Sequence, residues 1–265
     1  MIIAADNLRI TDPTIAMAIE RYDPAPIAAM IRRCEAAGAD WIDLNAGPLS
    51  REPEKRMTFL VEAVCAVTRL PLLLDTVNPR ALGAGLAASR NPTAINGFSL
   101  EPSKLARILP LARQYGCDII GYLLYPDSQV PPDESELIGV ALALYDAFHK
   151  AGLDDSQLII DPVVAPLIWA DGAQHNRHLL ALIRNLPDLL GFPVRTIAGL
   201  SNLSTGRMPK PVKHLLQRAF LPMLAAAGLR CALMDAFQPE TVQTARACEA
   251  MCDSGIFSWG QLISP

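Results

Sequence analysis

Carboxylate and amide side chains recur at the ends of short apolar runs: Asp6-Asn7, Asp43 with Asn45, Asp75, Asn96 with Ser99, Asp161, Ser201-Asn202 and Asp235. Gathered in one place, such groups can bracket the hydrogen-bonding edge of a flat heterocycle. Each also suits a second task, because Asp, Asn and Ser are preferred N-caps of a following helix. Asp75, Asn96 and Asp161 favour the first task, since they stand directly against apolar residues. A carboxylate there must find donors or bear a large desolvation cost, and a ligand carrying N–H groups would supply them.

Other reactive residue types form no comparable set. The six cysteines, Cys34, Cys65, Cys117, Cys231, Cys248 and Cys252, contain no CxxC pair, so they read as reduced thiols of a cytoplasmic protein packed as small hydrophobes. Cys248 and Cys252 lie one helical turn apart but lack further ligands nearby. His175 and His178 are three residues apart, and with no neighbouring Cys or carboxylate pattern they read as a solvated helix face. The expectation is a chain without a bound metal.

Short β-rich apolar runs alternate with longer stretches of helical period, the pattern of βα units around a parallel sheet. Strands are predicted near Ile2–Ala4, Trp41–Leu44, Leu72–Asp75, Ala94–Asn96, Ile119–Leu123, Leu158–Ile160, Thr196–Ala198 and Ala232–Met234. Eight such units in 265 residues make a single-domain (β/α)₈ TIM barrel spanning residues 1–265, of about the usual size. Helix ends are marked by glycine at Ala37-Gly38-Ala39, Lys150-Ala151-Gly152 and Ala226-Ala227-Gly228. In a barrel the polar strand ends converge on one rim, and two irregular stretches, Tyr125–Asp133 and Pro162–Ala173, become long loops over it.

Composition narrows the partners. Apolar residues make up 51% and aromatics 6%, which suits an aliphatic barrel core. The net charge of -4, from 23 basic and 27 acidic side chains, offers no footprint for nucleic acid. No stretch reaches the roughly 20 apolar residues that span a bilayer, and the N-terminus shows no export signal.

The order and spacing of several motifs resemble the pterin-binding barrels, and among them the methyltetrahydrofolate:corrinoid protein methyltransferases, almost end to end. They are Asp23-Pro24-Ala25-Pro26, Asp43-Leu44-Asn45-Ala46-Gly47-Pro48, Leu74-Asp75 with Asn78, Ile95-Asn96, Ile160-Asp161-Pro162 and Gly199-Leu200-Ser201-Asn202-Leu203-Ser204. The resemblance implies that Asp75, Asn96 and Asp161 contact the pterin ring and that Asn202 is a mobile amide near N5. Asp43, Asn45 and Ser201 complete the expected substrate site. It further implies methyltetrahydrofolate or tetrahydrofolate as substrate, a corrinoid carried by a partner protein, and a homodimer. The chain has no Asp-x-His-x-x-Gly signature for holding a corrinoid itself, and its histidines are His149, His175, His178 and His214.

Departures from the pattern matter too. The family's Gly-Glu-Arg-x-Asn at the first strand is replaced by Ala5-Asp6-Asn7-Leu8-Arg9, the expected glutamine after the Asn202 loop by Thr205-Gly206-Arg207, and the fifth strand runs into Leu124-Tyr125-Pro126-Asp127. Two alternatives stay open. One is a dihydropteroate synthase, although its Asn-x-Thr-Pro-Asp-Ser-Phe and Ser-Arg-Lys marks are missing. The other is a barrel that binds a pterin or a corrinoid protein without catalysis.

Overall fold

The computed structural model describes residues 1–252, and residues 253–265 of the expected domain lie outside that range. Eight parallel strands close into a barrel in chain order. They are β1 (Ile2–Arg9), β2 (Trp41–Asn45), β3 (Leu72–Asp75), β4 (Thr93–Phe98), β5 (Asp118–Tyr122), β6 (Leu158–Asp161), β7 (Arg195–Gly199) and β8 (Cys231–Met234). Between and after them run α1 (Pro13–Arg21), α2 (Pro24–Ala36), α3 (Pro53–Cys65), α4 (Pro79–Ala88), α5 (Pro102–Arg107), α6 (Leu109–Tyr115), α7 (Glu134–Lys150), α8 (Gly172–Leu190), α9 (Lys210–Ala227) and α10 (Pro239–Cys252). The expected (β/α)₈ fold is therefore present.

Local chemistry writes these elements. Helices α1 to α4 each begin with proline, whose fixed φ and missing N–H suit the first helical position. Side chains of Asp12, Asp23, Asn78 and Asp133 cap the N-termini of α1, α2, α4 and α7. Gly38, Gly152 and Gly228 have φ of +90°, +74° and +108°, as the helix-ending glycines require. The barrel interior is an apolar layer of Ala4, Leu73, Ala94, Ile120, Ile159, Ile197 and Cys231. A larger apolar shell, with Ile27, Leu60, Leu82, Leu144 and Leu186, packs helices onto the outside of the sheet.

The strand boundaries need correction where polar residues interrupt the apolar run. β1 continues five residues past Ala4, so Asp6, Asn7 and Arg9 belong to a strand, not to a following loop. Its pairing with β2 shifts register between Ala5 and Leu8, which accommodates the polar pair. β4 likewise runs on to Phe98, with a register shift beyond Asn96. Among the described residues no helix is long and apolar enough to cross a membrane.

Candidate active site

Side chains two residues apart on a strand share a face, so the position two beyond each member of the apolar layer points into the barrel mouth. From β3 to β7 these positions are Asp75, Asn96, Tyr122, Asp161 and Gly199. Asp43 and Asn45 of β2 complete the arc. Asn45 Nδ2 donates to Asp75 Oδ2 at 2.6 Å, and Asn96 Nδ2 donates to Asp43 Oδ1 at 3.2 Å. The Tyr122 hydroxyl donates to Asn96 Oδ1. Asp161 Oδ1 accepts from the Val163 N–H at 2.8 Å.

These carboxyls lack cationic partners: none of the ion pairs found among the described residues involves Asp43, Asp75 or Asp161. Burial therefore dominates their titration. It pushes Asp161 up to about 7, against the opposing Val163 N–H, and Asp75 up to about 6. Asp43 rises well above the ordinary range through burial and the neighbouring Asp75, with the Asn96 amide opposing. Tyr122 is raised in its turn by burial and by the Asp75, Asp161 and Asp43 carboxylates. The mouth thus holds carboxyls whose charged form burial disfavours.

Gly199 leaves a gap in the arc. A Cβ at that position would stand 3.2 Å from Asn202 Nδ2, so the missing side chain is what allows the Asn202 amide to lie over the end of β7. Asn202 sits in a short 3-10 turn, Leu200–Ser204, and is exposed. Ser201 is exposed beside it; its carbonyl accepts from the Ser204 hydroxyl at 3.4 Å, and nothing brings its side chain to the arc. The capping alternative fails for the arc and for Asn202. The residues at the helix N-cap positions after β2, β3, β4, β6 and β7 are Glu52, Asn78, Glu101, Asp171 and Pro209. Asn78 is accordingly a cap, accepting from Arg80 N and Ala81 N.

The β8–β1 side is built differently. Asp235 accepts from Asn7 Nδ2 at 2.5 Å, from the Phe237 N–H at 2.9 Å and from Gln238 Nε2 at 3.1 Å. Burial alone would raise Asp235, but these hydrogen bonds hold it below its ordinary value. Arg9 pairs with the buried Asp6 at 2.7 Å. Asp6 nonetheless stays raised, because burial outweighs the Arg9 guanidinium, and its Oδ1 has no well-aligned hydrogen-bond partner among the described residues.

Two residues escaped the sequence reading. Tyr122 lies inward by alternation from Ile120, a signal the run Ile119–Leu123 already carries. His175 was assigned to a solvated face, whereas it is buried at 3% exposure with Asn176. The spacing His175, Leu179, Leu182, Leu186 along the apolar face of α8 carried that signal. The cysteines Cys34, Cys65, Cys117, Cys231 and Cys248 are buried free thiols and Cys252 is exposed. Among the described residues no group of three or more His, Cys, Asp or Glu could hold a metal ion.

Residues 10–235 match the model of a family described as pterin binding enzyme. The chain belongs to that family. It is 25% identical over 245 residues to a methylcorrinoid:tetrahydrofolate methyltransferase of Eubacterium limosum, covering 89% of this chain and 85% of that protein. It is 26% identical over 250 residues to methionine synthase of Mycobacterium tuberculosis, covering 88% of this chain but only 20% of that much longer enzyme. Among solved structures, a dihydropteroate synthase of Yersinia pestis superposes with a TM-score of 0.70 at 20% identity, covering 94% and 93% of the two chains. A second dihydropteroate synthetase, solved with a product, gives 0.69 at 18% identity over the same shares. At those identities the likeness is one of fold.

Proposed function

We propose that this pterin-binding enzyme moves a methyl group between N5 of methyltetrahydrofolate, or a related tetrahydropterin, and the cobalt of a corrinoid held by a separate protein. The observation that carries the reading is the arc of Asp75, Asn96 and Asp161 with the Asn202 amide overhanging it at Gly199. The relative from Eubacterium limosum supports the choice of reaction.

On this reading the 2-amino and ring N–H groups of the pterin meet the Asp75 and Asp161 carboxylates, and charge-assisted hydrogen bonds offset the cost of burying them. A tertiary amine leaves poorly, so N5 must gain a proton as the methyl departs. Asn202 cannot supply that proton. Its amide can hydrogen-bond the protonated N5 and favour the charged form in the transition state, with water as the proton source. The corrinoid, when docked, supplies the metal centre that accepts or gives up the methyl. Three of the four histidines are engaged within the chain: both ring nitrogens of His175 face backbone carbonyls, His214 Nε2 lies against Gln238, and His149 packs against Tyr145.

A dihydropteroate synthase would bring a pyrophosphate to the same mouth and want a cation to meet it. The Ser-Arg-Lys expected after β7 is replaced by Ser201-Asn202-Leu203, and the first cation beyond the strand is Arg207. The deciding experiment mixes the protein with methyl-labelled methyltetrahydrofolate and chemically reduced cobalamin and follows methylcobalamin by its absorbance and label. Transfer is expected. Tetrahydrofolate binding without transfer to any reduced corrinoid would instead mark a non-catalytic binder.

A further inference from the structure

The loop after β6 is fastened to the start of α8 by two adjacent buried side chains. Asn176 holds Ala165 from both sides, accepting from its N–H and donating to its carbonyl, each at 2.9 Å. His175 holds Val163: ring Nε2 lies 3.0 Å from the Val163 carbonyl, while Nδ1 lies 3.3 Å from the carbonyl of Pro131 in the loop after β5. Both partners can only accept and a neutral imidazole carries one N–H, so the shorter contact, to Val163, is the one the ring donates.

Val163 is an unusual residue to find there. Its φ is +61°, a region that a β-branched side chain rarely enters. Such a conformation persists only where its surroundings over-determine it. Two hydrogen bonds do so, one at each end of the residue: the N–H to Asp161 Oδ1 at 2.8 Å and the carbonyl to His175. The chain His175, Val163, Asp161 thereby runs from α8 to the carboxyl in the barrel mouth.

We infer that His175 is a positioning residue for Asp161: by clamping the Val163 peptide it aims the N–H that fixes one carboxyl oxygen and leaves the other turned to the ligand. The inference rests on the pterin-binding reading of Asp161. It does not make His175 a catalytic residue, because the ring reaches the site only through the peptide. Asn176 keeps the loop attached when His175 is changed, so the effect on Asp161 can be separated from loss of the loop.

The test has two readouts. In calorimetry with tetrahydrofolate, His175→Leu is expected to weaken binding about tenfold, part of a charged hydrogen bond's worth, and His175→Gln, which restores an N–H donor, to recover most of it. Glycine adopts positive φ without help, so the loss on removing His175 should shrink to about threefold or less in a Val163→Gly background. Amide hydrogen exchange of the segment 162–170 is read without any ligand, and His175→Leu should speed it at Val163. Equal losses in both backgrounds, failure of His175→Gln to recover binding, or unchanged exchange at Val163 would overturn the proposal. If the wild type binds no tetrahydrofolate, the functional reading falls, and the exchange measurement alone still decides whether His175 clamps Val163.

Discussion

The two rims of the barrel treat their carboxylates in opposite ways. At the rim where the strands begin, Asp118 of β5 pairs with Arg195 of β7 at 2.7 Å, Asp40 with Arg246 at 2.9 Å, and the N-terminal ammonium with Glu249 at 3.2 Å. At the rim where they end, Asp43, Asp75 and Asp161 meet amides, a phenol and a backbone N–H, and burial raises all three. A paired carboxylate near water is finished, whereas Asp6, paired with Arg9 but buried, is still raised. An acid kept buried without a cation costs stability and is retained where a ligand completes it, which is why unmatched burial marks a candidate site. The β8 end of the same rim sharpens the point, since Asp235, met by Asn7 and Gln238, is held low.

The largest effects should fall on the unmatched arc. Asn202→Ala should lower single-turnover methyl transfer by about 10²-fold or more, the scale of removing one preorganised donor, with much less change in affinity, because only interactions stronger in the transition state affect the chemical step. Equal rates would remove Asn202 from the mechanism. Asp75→Ala and Asp161→Ala come next, each expected to weaken tetrahydrofolate binding by about 2–3 kcal/mol, as for a charged hydrogen bond lost in a buried site. Asp118→Ala, at the other rim, should leave transfer and binding at wild-type levels. A matching loss there would break the contrast between the rims.

How far the sequence showed this depends on which residue is asked about. The alternation of β and helical periods was enough for the barrel, because aliphatic runs such as Leu72–Asp75 and Leu158–Asp161 end in one polar residue whose exit from the core is unmistakable. The same reasoning stopped too early at Ala4, since the polar pair Asp6-Asn7 reads as a loop until the irregular pairing with β2 is seen. Asp75, Asn96 and Asp161 were legible as a set. Their partners were not: the Tyr122 hydroxyl on Asn96 and the Val163 N–H on Asp161 depend on strand stagger and on one backbone turn. His175 shows the limit most clearly, because its two carbonyl partners come from loops far apart in the chain.

A smaller effect concerns stability against pH. Asp161 is raised to about 7 when folded, against about 3.9 in an unfolded chain. Between those values the folded protein holds a proton that the unfolded chain has released, so stability falls as pH rises through that window. The penalty is fully present above pH 7 and absent below pH 4. Asp161→Asn removes the titration, and should therefore melt close to the wild type at pH 4 but several degrees higher at pH 8, on the order of 1–3 kcal/mol. A constant difference between the two pH values would show that Asp161 is not the buried acid that sets this dependence.

The smallest expected effect is the cost of unpairing the opposite rim. Asp118 and Arg195 side chains are 32% and 37% exposed, so water and salt screen the pair, and exposed pairs contribute about 0.2–1 kcal/mol. Arg195 also donates to the Ser156 carbonyl, which leaves its guanidinium with a partner when Asp118 is replaced. Asp118→Asn should then lower the melting temperature by about 1–3 °C at low salt, and by less in 0.5 M salt, where the screening length is well under that of physiological buffer. This response has the opposite sign to that of Asp161→Asn at pH 8, where removing a carboxylate stabilises. Two Asp→Asn substitutions on neighbouring strands, β5 and β6, would thus move stability in opposite directions according to whether the carboxyl faces a cation or waits for a ligand. A stabilised Asp118→Asn protein would mean that the lower rim, too, holds a carboxylate without adequate compensation, and the contrast between the rims would be lost.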